Sequence, residues 1–398
     1  MKDELLSHRI EEPASGPGAL RAQFERVQWK LHRTRVDRKL PPAPFPRASC
    51  SRWLFISAPD ILCASQIFPF FYYAGKLRSQ FGIELREVTL EHYRASHPYR
   101  NGVDVVCLQT WFDLTADRMK NLLDEIAASY PKARLAYLDW FAPTDLRYAA
   151  AVEPHVRVYV KKHLLRDRSA YKSCTEGDTN LTDYYSRRFG LNLELVEHRV
   201  PDSVWSKIVL GPTFVISGQM LPWVFRDLPR DERRIDVHAR IATGGTSWYK
   251  AMRLEALDHV RQLRGLNIAC EGLVTRKAYL AELAASKICF SPFGYGEVCW
   301  RDYEAVLHGA LLIKPDMSHI LTCPDIFIPF KTYVPVQWDL SDLEEKIRFY
   351  LAHDAEREAI ARAAFDVIRD YVLRNYFLTQ MDPMFQRLLH SSAENAPA

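Results

Sequence analysis

Short apolar runs that alternate with segments of helical spacing constrain this chain more than any other feature. Trp53 to Ser57, Ile83 to Thr89, Val103 to Gln109, Arg134 to Leu138 and Val156 to Val160 read as strands, with helices at Ile67 to Phe81 and Thr115 to Ser129. On the second helix Met119, Leu122, Leu123 and Ile126 form one apolar stripe. The pattern loosens from Lys161 to about Arg230, where Pro201, Gly211-Pro212 and Gly218 mark turns. It restarts with strands at Ile235 to Ala242, Leu266 to Cys270, Lys287 to Phe290, Leu311 to Ile313 and Thr332 to Val336. Between and after them lie helices at Trp248 to Leu263, Arg276 to Ala285, Val298 to His308, Asp342 to His353 and Asp354 to Asn375. Such alternation predicts parallel sheets covered by helices on both faces. Two runs of it, joined near residue 230, predict an α/β chain of two Rossmann-like domains facing a cleft, with C-terminal helices.

The expected organisation is a basic, Pro-rich extension at 1–49, a first domain at 50–230, a second at 231–390 and a disordered tail at 391–398. The basic segment within 21–39 (RVQWKLHRTRVDRK) has two readings: a helix packed on the domain, or a contact with an anionic membrane surface. A hydrophobic share of 48% is ample for two cores, and a net charge of +4 argues against a dedicated nucleic-acid binder. Acidic substrates must then be held by local basic groups. The eight cysteines form no CxxC pair, and Cys107, Cys270 and Cys289 sit in apolar runs, as expected in a reducing compartment. The polar first residues contain no secretion signal, and no run of about 18 apolar residues would span a membrane. A cytoplasmic protein, at most peripheral to the inner membrane face, is expected. The 13 histidines show no HExxH or HxH grouping, so no metal site is expected.

The most informative stretch is Ser291 to Pro315, SPFGYGEVCWRDYEAVLHGALLIKP. A strand ends at Phe290, a turn follows with Gly294 and Gly296, then a helix closed by Gly309. In parallel sheets ligands bind outside the carboxyl ends of strands, where this turn lies. Glu304 on the helix can accept paired, charge-assisted bonds from a ribose diol, or be an ordinary surface glutamate. Glu297, just before the helix, can cap its free N–H groups or meet a sugar hydroxyl. Arg301 in the first turn is a cation where the dipole favours an anion, which points to phosphate or to a surface ion pair.

A second loop, Thr243-Gly244-Gly245-Thr246-Ser247, follows the first strand of the second half and precedes a helix. Its glycines allow a diphosphate to approach the backbone closely. Arg240, Lys250 and Arg253 flank it, and Tyr249 belongs to the same candidate set. Neither G-x-G-x-x-G nor G-x-x-x-x-G-K-[ST] is present, which disfavours dinucleotide oxidoreductases and P-loop NTPases. In the first half Asp139, directly after a strand and beside Trp140 and Phe141, is the candidate general base. Asp113 and Asp60 are its rivals, and helix capping is the commoner fate of such residues.

The segment SPFGYGEVCWRDYEAVLHGALLIKPDM, with TYVPVQWDLSDLEEKI and IDVHARIATGGTSWYKAMR, resembles the C-terminal domain of GT-B glycosyltransferases. The likeness is closest to bacterial family-1-type, exostosin-like and CgeB-type members. It spans about residues 230 to 390, and the first half shares the layout. The resemblance implies a nucleotide-sugar donor in the second domain, an acceptor in the first (a glycan, a lipid or a small molecule), and transfer without a bound metal or other cofactor. The family's two donor-binding glutamates have seven residues between them, whereas six separate Glu297 from Glu304. Glu304-Ala305 with Gly309 matches the second, ribose-contacting position, and Glu297 departs from the first. Arg240 and Lys250 would stabilise the departing diphosphate. Asp139 would serve as base if the enzyme inverts. The alternative is a non-catalytic GT-B-like protein that binds a sugar or nucleotide.

Overall fold

A computed structural model describes residues 17–46, 51–58, 60–96, 99, 102–229 and 232–390. The first lobe contains β1 (Ser51–Ser57), β2 (Ile83–Thr89), β3 (Val105–Leu108), β4 (Arg134–Asp139), β5 (Val158–Lys161), β6 (His163–Leu165), β7 (Thr175–Glu176), β8 (Leu195–Val196) and β9 (Ile208–Leu210). The second contains β10 (Ile235–His238), β11 (Ile268–Ala269), β12 (Ser286–Phe290), β13 (Leu311–Pro315), β14 (Ile320–Thr322) and β15 (Val334–Val336). The first sheet has the order β2-β1-β3-β4-β5-β9 and the second β11-β10-β12-β13-β15. Every pairing within both is parallel. This is the expected GT-B architecture of two Rossmann-like sheets with C-terminal helices.

Strand alternation explains the layering. In the first sheet Leu54, Ile56, Val106, Leu108, Leu135 and Tyr137 pack on the amphipathic helix Ala116–Ser129, through Met119, Leu122, Leu123 and Ile126. Their neighbours Trp53, Phe55, Val105, Cys107, Ala136 and Leu138 face the other way. In the second sheet Val237, Ile288, Phe290, Leu311 and Ile313 line one face, and Cys289 and Leu312 the other. A period of two divides each strand between two helical layers.

Three differences from the sequence reading matter, and one of its two alternatives for the basic segment is decided. The aromatic helix begins earlier and is two helices, Ile61–Tyr72 and Ala74–Phe81, with Asp60 capping the first by accepting from the Leu62 N–H at 2.7 Å. Within the irregular region 161–210, β6 pairs antiparallel with β14 of the second lobe and so bridges the lobes. The helix Pro17–Asp37 packs on the first lobe through Trp29, edge-on to Phe68 at 5.0 Å, and through His32 and Arg33 on the buried Glu87. That is the packed-helix reading, although Phe24, Val27 and Leu31 stay exposed. The helix expected at Asp354 to Asn375 is found as Asp354–Leu373, and a further helix, Tyr376–Leu389, follows it. The second of these leaves its own lobe: Phe377 stacks on Tyr73 at 5.2 Å, Phe385 meets Trp53 at 6.0 Å, and Gln380 donates to the Leu210 carbonyl at 2.8 Å. The expected second domain thus returns its final helix to the first. The expected tail at 391–398 lies outside the described residues, and no described helix is long and apolar enough to cross a membrane.

Candidate active site

The carboxyl ends of β10 and β12 carry the two loops singled out by sequence. Tyr249 and Tyr295 stack across them, with ring centroids 4.3 Å apart and planes within 6°. Gly245, at φ +145°, is required there: a Cβ would lie 2.6 Å from the Tyr295 hydroxyl and 2.7 Å from Tyr249 Cδ1. The Thr246 N–H donates to that hydroxyl at 3.2 Å, and the helix Ser247–Gln262 starts without a side-chain cap. Its first N–H groups therefore remain available. Gly244 faces open space.

Beneath these loops lie two arginines with no carboxylate partner among the described residues. Arg253 is 6% exposed, its guanidinium 4.8 Å from the Tyr249 ring centroid, and its Nε is sealed from solvent without an acceptor. Arg301 donates through Nη2 to the Arg240 carbonyl, and its Nε is likewise buried and unmatched. Burial, and after it the nearby charge of Arg301, pushes the Arg253 pKa down. Two desolvated like charges side by side make a site that an anion would stabilise. The closest carboxylate on the helix, Asp302, is already used by Ser291 at 2.6 Å, the Cys299 N–H at 2.8 Å and Lys314 at 3.3 Å.

Arg240 is not part of this pair. Its guanidinium forms a fork on Glu282, at 2.5 and 2.7 Å, and reaches the Glu271 and Gly272 carbonyls. Lys250 points to solvent on the helix that Thr246 begins.

Glu304 is 4% exposed and faces the helix Arg276–Ala284. Its carboxylate accepts from Arg276 Nη2 at 2.5 Å and from the Tyr279 hydroxyl at 2.9 Å. His238, at the end of β10, meets the Tyr279 ring edge-on at 5.1 Å, and burial, then Arg301, lowers its pKa to about 4. It is neutral at pH 7. The sequence reading missed Arg276 and Tyr279. Their three-residue spacing puts them on one helix face, and that was the available signal.

Glu297 sits at the junction of the lobes, fully buried. It neither caps the helix nor opens to solvent, because Cys299 and Asp302 form the cap. Its carboxylate accepts from Asn180 at 2.9 Å and from Thr144, both in the first lobe, with His319 at 3.6 Å and His163 at 3.9 Å. Burial alone would raise its pKa, but His319, His163 and Thr144 outweigh it and hold the carboxyl at about 2. Gly294 folds against Cys299 Sγ, where a Cβ would come within 3.1 Å. Gly296 lets this loop touch the Ala142 backbone of the first lobe.

Asp139 is enclosed. It pairs in register with Lys161 across β4 and β5 and accepts from Lys161 Nζ at 2.9 Å, the Tyr159 hydroxyl at 2.6 Å and the Phe141 N–H at 3.1 Å. In this geometry it is the counter-ion of a buried lysine, with its oxygens occupied. Asp139→Ala should therefore destabilise the fold by about 3–5 kcal/mol in urea unfolding, because it strands Lys161. Replacing both members by apolar residues should recover most of that loss. Of the three candidate aspartates, Asp60, Asp113 and Asp139, Asp113 alone keeps an exposed carboxylate with no bond to a described residue, beside the exposed rings of Trp111 and Phe112.

Residues 222–381 match the family model described as glycosyl transferase-like. No curated protein matches the sequence. Among solved structures, a glycosyltransferase from Rickettsia africae ESF-5 aligns with a TM-score of 0.51 at 11% identity, covering 87% of this chain and 100% of that one. The Anabaena HepE protein in complex with UDP-glucose gives 0.45 at 9% identity, covering 85% and 100%. An alpha-glucosyltransferase bound to UDP-glucose and DNA with an abasic site gives 0.47 at 9% identity, covering 85% and 100%. The chain has the GT-B fold, and Arg253, Arg301 and Glu304 lie within residues 222–381, the segment that matches the glycosyl transferase-like model.

Proposed function

We propose that the protein is a glycosyltransferase that moves a sugar from a nucleotide-sugar donor, held by the second lobe, to an acceptor held by the first. The ribose meets Glu304, whose carboxylate offers about four lone-pair directions and spends two on Arg276 and Tyr279. The diphosphate lies between the Gly244-Gly245 loop and the buried guanidiniums of Arg253 and Arg301. Charge that grows on the leaving phosphate is neutralised by groups fixed before the reaction begins, which is the most economical form of transition-state stabilisation. Lys250 reaches the same loop from solvent, while Arg240 acts through the Arg301 contact. Asp113 is the first-lobe carboxylate open to take an acceptor proton, and Asp139 orders the strand ends through Lys161.

The observation that carries this reading is the pair of buried arginines without counter-ions. Such a pair lowers the stability of the free protein and is compensated only when an anion arrives. Arg253→Met should accordingly raise the stability of the ligand-free protein by about 1 kcal/mol. The same change should weaken nucleotide binding by about 10-fold to 100-fold, since one charge-assisted bond is worth about 1.5–3 kcal/mol. Thermal-shift titrations of both proteins with UDP-, GDP-, dTDP- and ADP-sugars check both halves. If no nucleotide shifts the wild-type transition, the proposal fails.

A further inference from the structure

The first lobe holds one buried cation that the donor site does not use. Lys162 follows β5, at the carboxyl end of the first sheet and on the face opposite Lys161. Lys161 is neutralised by Asp139 and the Pro143 carbonyl. Lys162 is 4% exposed, and its ammonium forms no hydrogen bond or ion pair with a described residue. Its contact is the Phe214 ring, 4.4 Å from Nζ to centroid. Phe214 in turn stacks on Trp300, the first residue of the helix that carries Arg301 and Glu304, with centroids 4.5 Å apart. The indole Nε1 of Trp300 is also buried without an acceptor. Two unmatched donors, one from each lobe, therefore flank a single aromatic ring where the lobes meet.

A lysine in this position has no evident role in holding the fold. An ammonium withdrawn from water without a carboxylate destabilises the free protein, and the ring returns only part of the loss. Burial, and then the adjacent Lys161 charge, lowers its pKa to about 7. Asp139 pulls the other way, but its oxygens are occupied by Lys161, Tyr159 and the Phe141 N–H. An anion that reached Lys162 beside Phe214 would recover the cost.

We propose that Lys162 forms an anion subsite at the lobe junction that selects acceptors bearing a phosphate or carboxylate group. Calling the ligand an acceptor rests on the glycosyl-transfer reading; the anion subsite does not. Phosphate and carboxylate share the chemistry, and separate probes distinguish them.

The test is calorimetric titration of the UDP-saturated protein with glycerol 1-phosphate, glucuronate, glycerol and glucose. At least one anionic probe should bind 10-fold or more tightly than its neutral counterpart. Lys162→Met should lose that preference while keeping UDP affinity, and Lys162→Arg should retain part of it. Circular dichroism confirms that both variants are folded. Equal binding of charged and neutral probes, or a preference that survives in Lys162→Met, overturns the proposal. Should neither UDP nor any of the other nucleotides bind, the glycosyl-transfer reading falls, and the same titration without nucleotide still decides the subsite.

Discussion

Glu304→Ala should remove most of the protein's affinity for its nucleotide. The wild-type carboxylate is buried and already ordered by Arg276 and Tyr279, so under the proposed function it would meet a ribose without rearranging. Losing two charge-assisted bonds corresponds to about 3 kcal/mol or more, a fall in affinity of about 100-fold. The variant also strands Arg276 and leaves the Tyr279 hydroxyl without its acceptor, so a modest drop in melting temperature accompanies the lost binding. Glu304→Gln separates the two effects: it keeps the volume and one acceptor oxygen, and should bind with intermediate affinity. Calorimetry with the nucleotide that stabilises the wild type is the measurement. Wild-type affinity in Glu304→Ala would sink the assignment.

Gly296→Ala should uncouple the lobes. The added Cβ falls 1.7 Å from the Ala142 carbonyl oxygen, 2.4 Å from its carbon and 3.2 Å from Pro143 N. All three are backbone atoms of the other lobe, so no side chain can swing aside. Normal contact distances require the lobes to part by about 1.5–2 Å at this point. Misplacement by about 1 Å costs reacting groups about 100-fold in rate. Turnover should therefore drop by two orders of magnitude or more, whereas nucleotide binding, confined to the second lobe, should change by less than about three-fold. Steady-state kinetics beside calorimetry checks the split. A variant with wild-type turnover would show that the contact does not set the geometry.

What sequence revealed and what it hid follow from the range of the interactions involved. Strand and helix alternation is local, and the two sheets appear where it places them. The helix that carries Glu304 was readable because helix, turn and glycine lie in one continuous stretch. Its partners Arg276 and Tyr279 come from a different helix, and only tertiary packing brings them within bonding distance. Asp139 looked like an open base because nothing near it in sequence neutralises it. Lys161 does so because β4 and β5 lie side by side in the folded sheet with Asp139 opposite Lys161, a contact between residues far apart in sequence. Glu297 resembled a helix cap by position, but Cys299 and Asp302 took that role and left it to the lobe junction. Arg240, placed among the phosphate groups by proximity to the loop, is claimed by Glu282 from yet another helix.

The helix Tyr376–Leu389 gives the chain an unusual order of assembly. Because it covers Trp53, Phe70 and Tyr73, the first lobe lacks part of its apolar shell until residues 376–389 have been made. The second lobe, translated later, has all its strands in one uninterrupted segment and can close before the earlier one. Topologically it is an insert within its elder neighbour, and a nascent chain halted before residue 376 would present a greasy, half-built front end to the cell's chaperones.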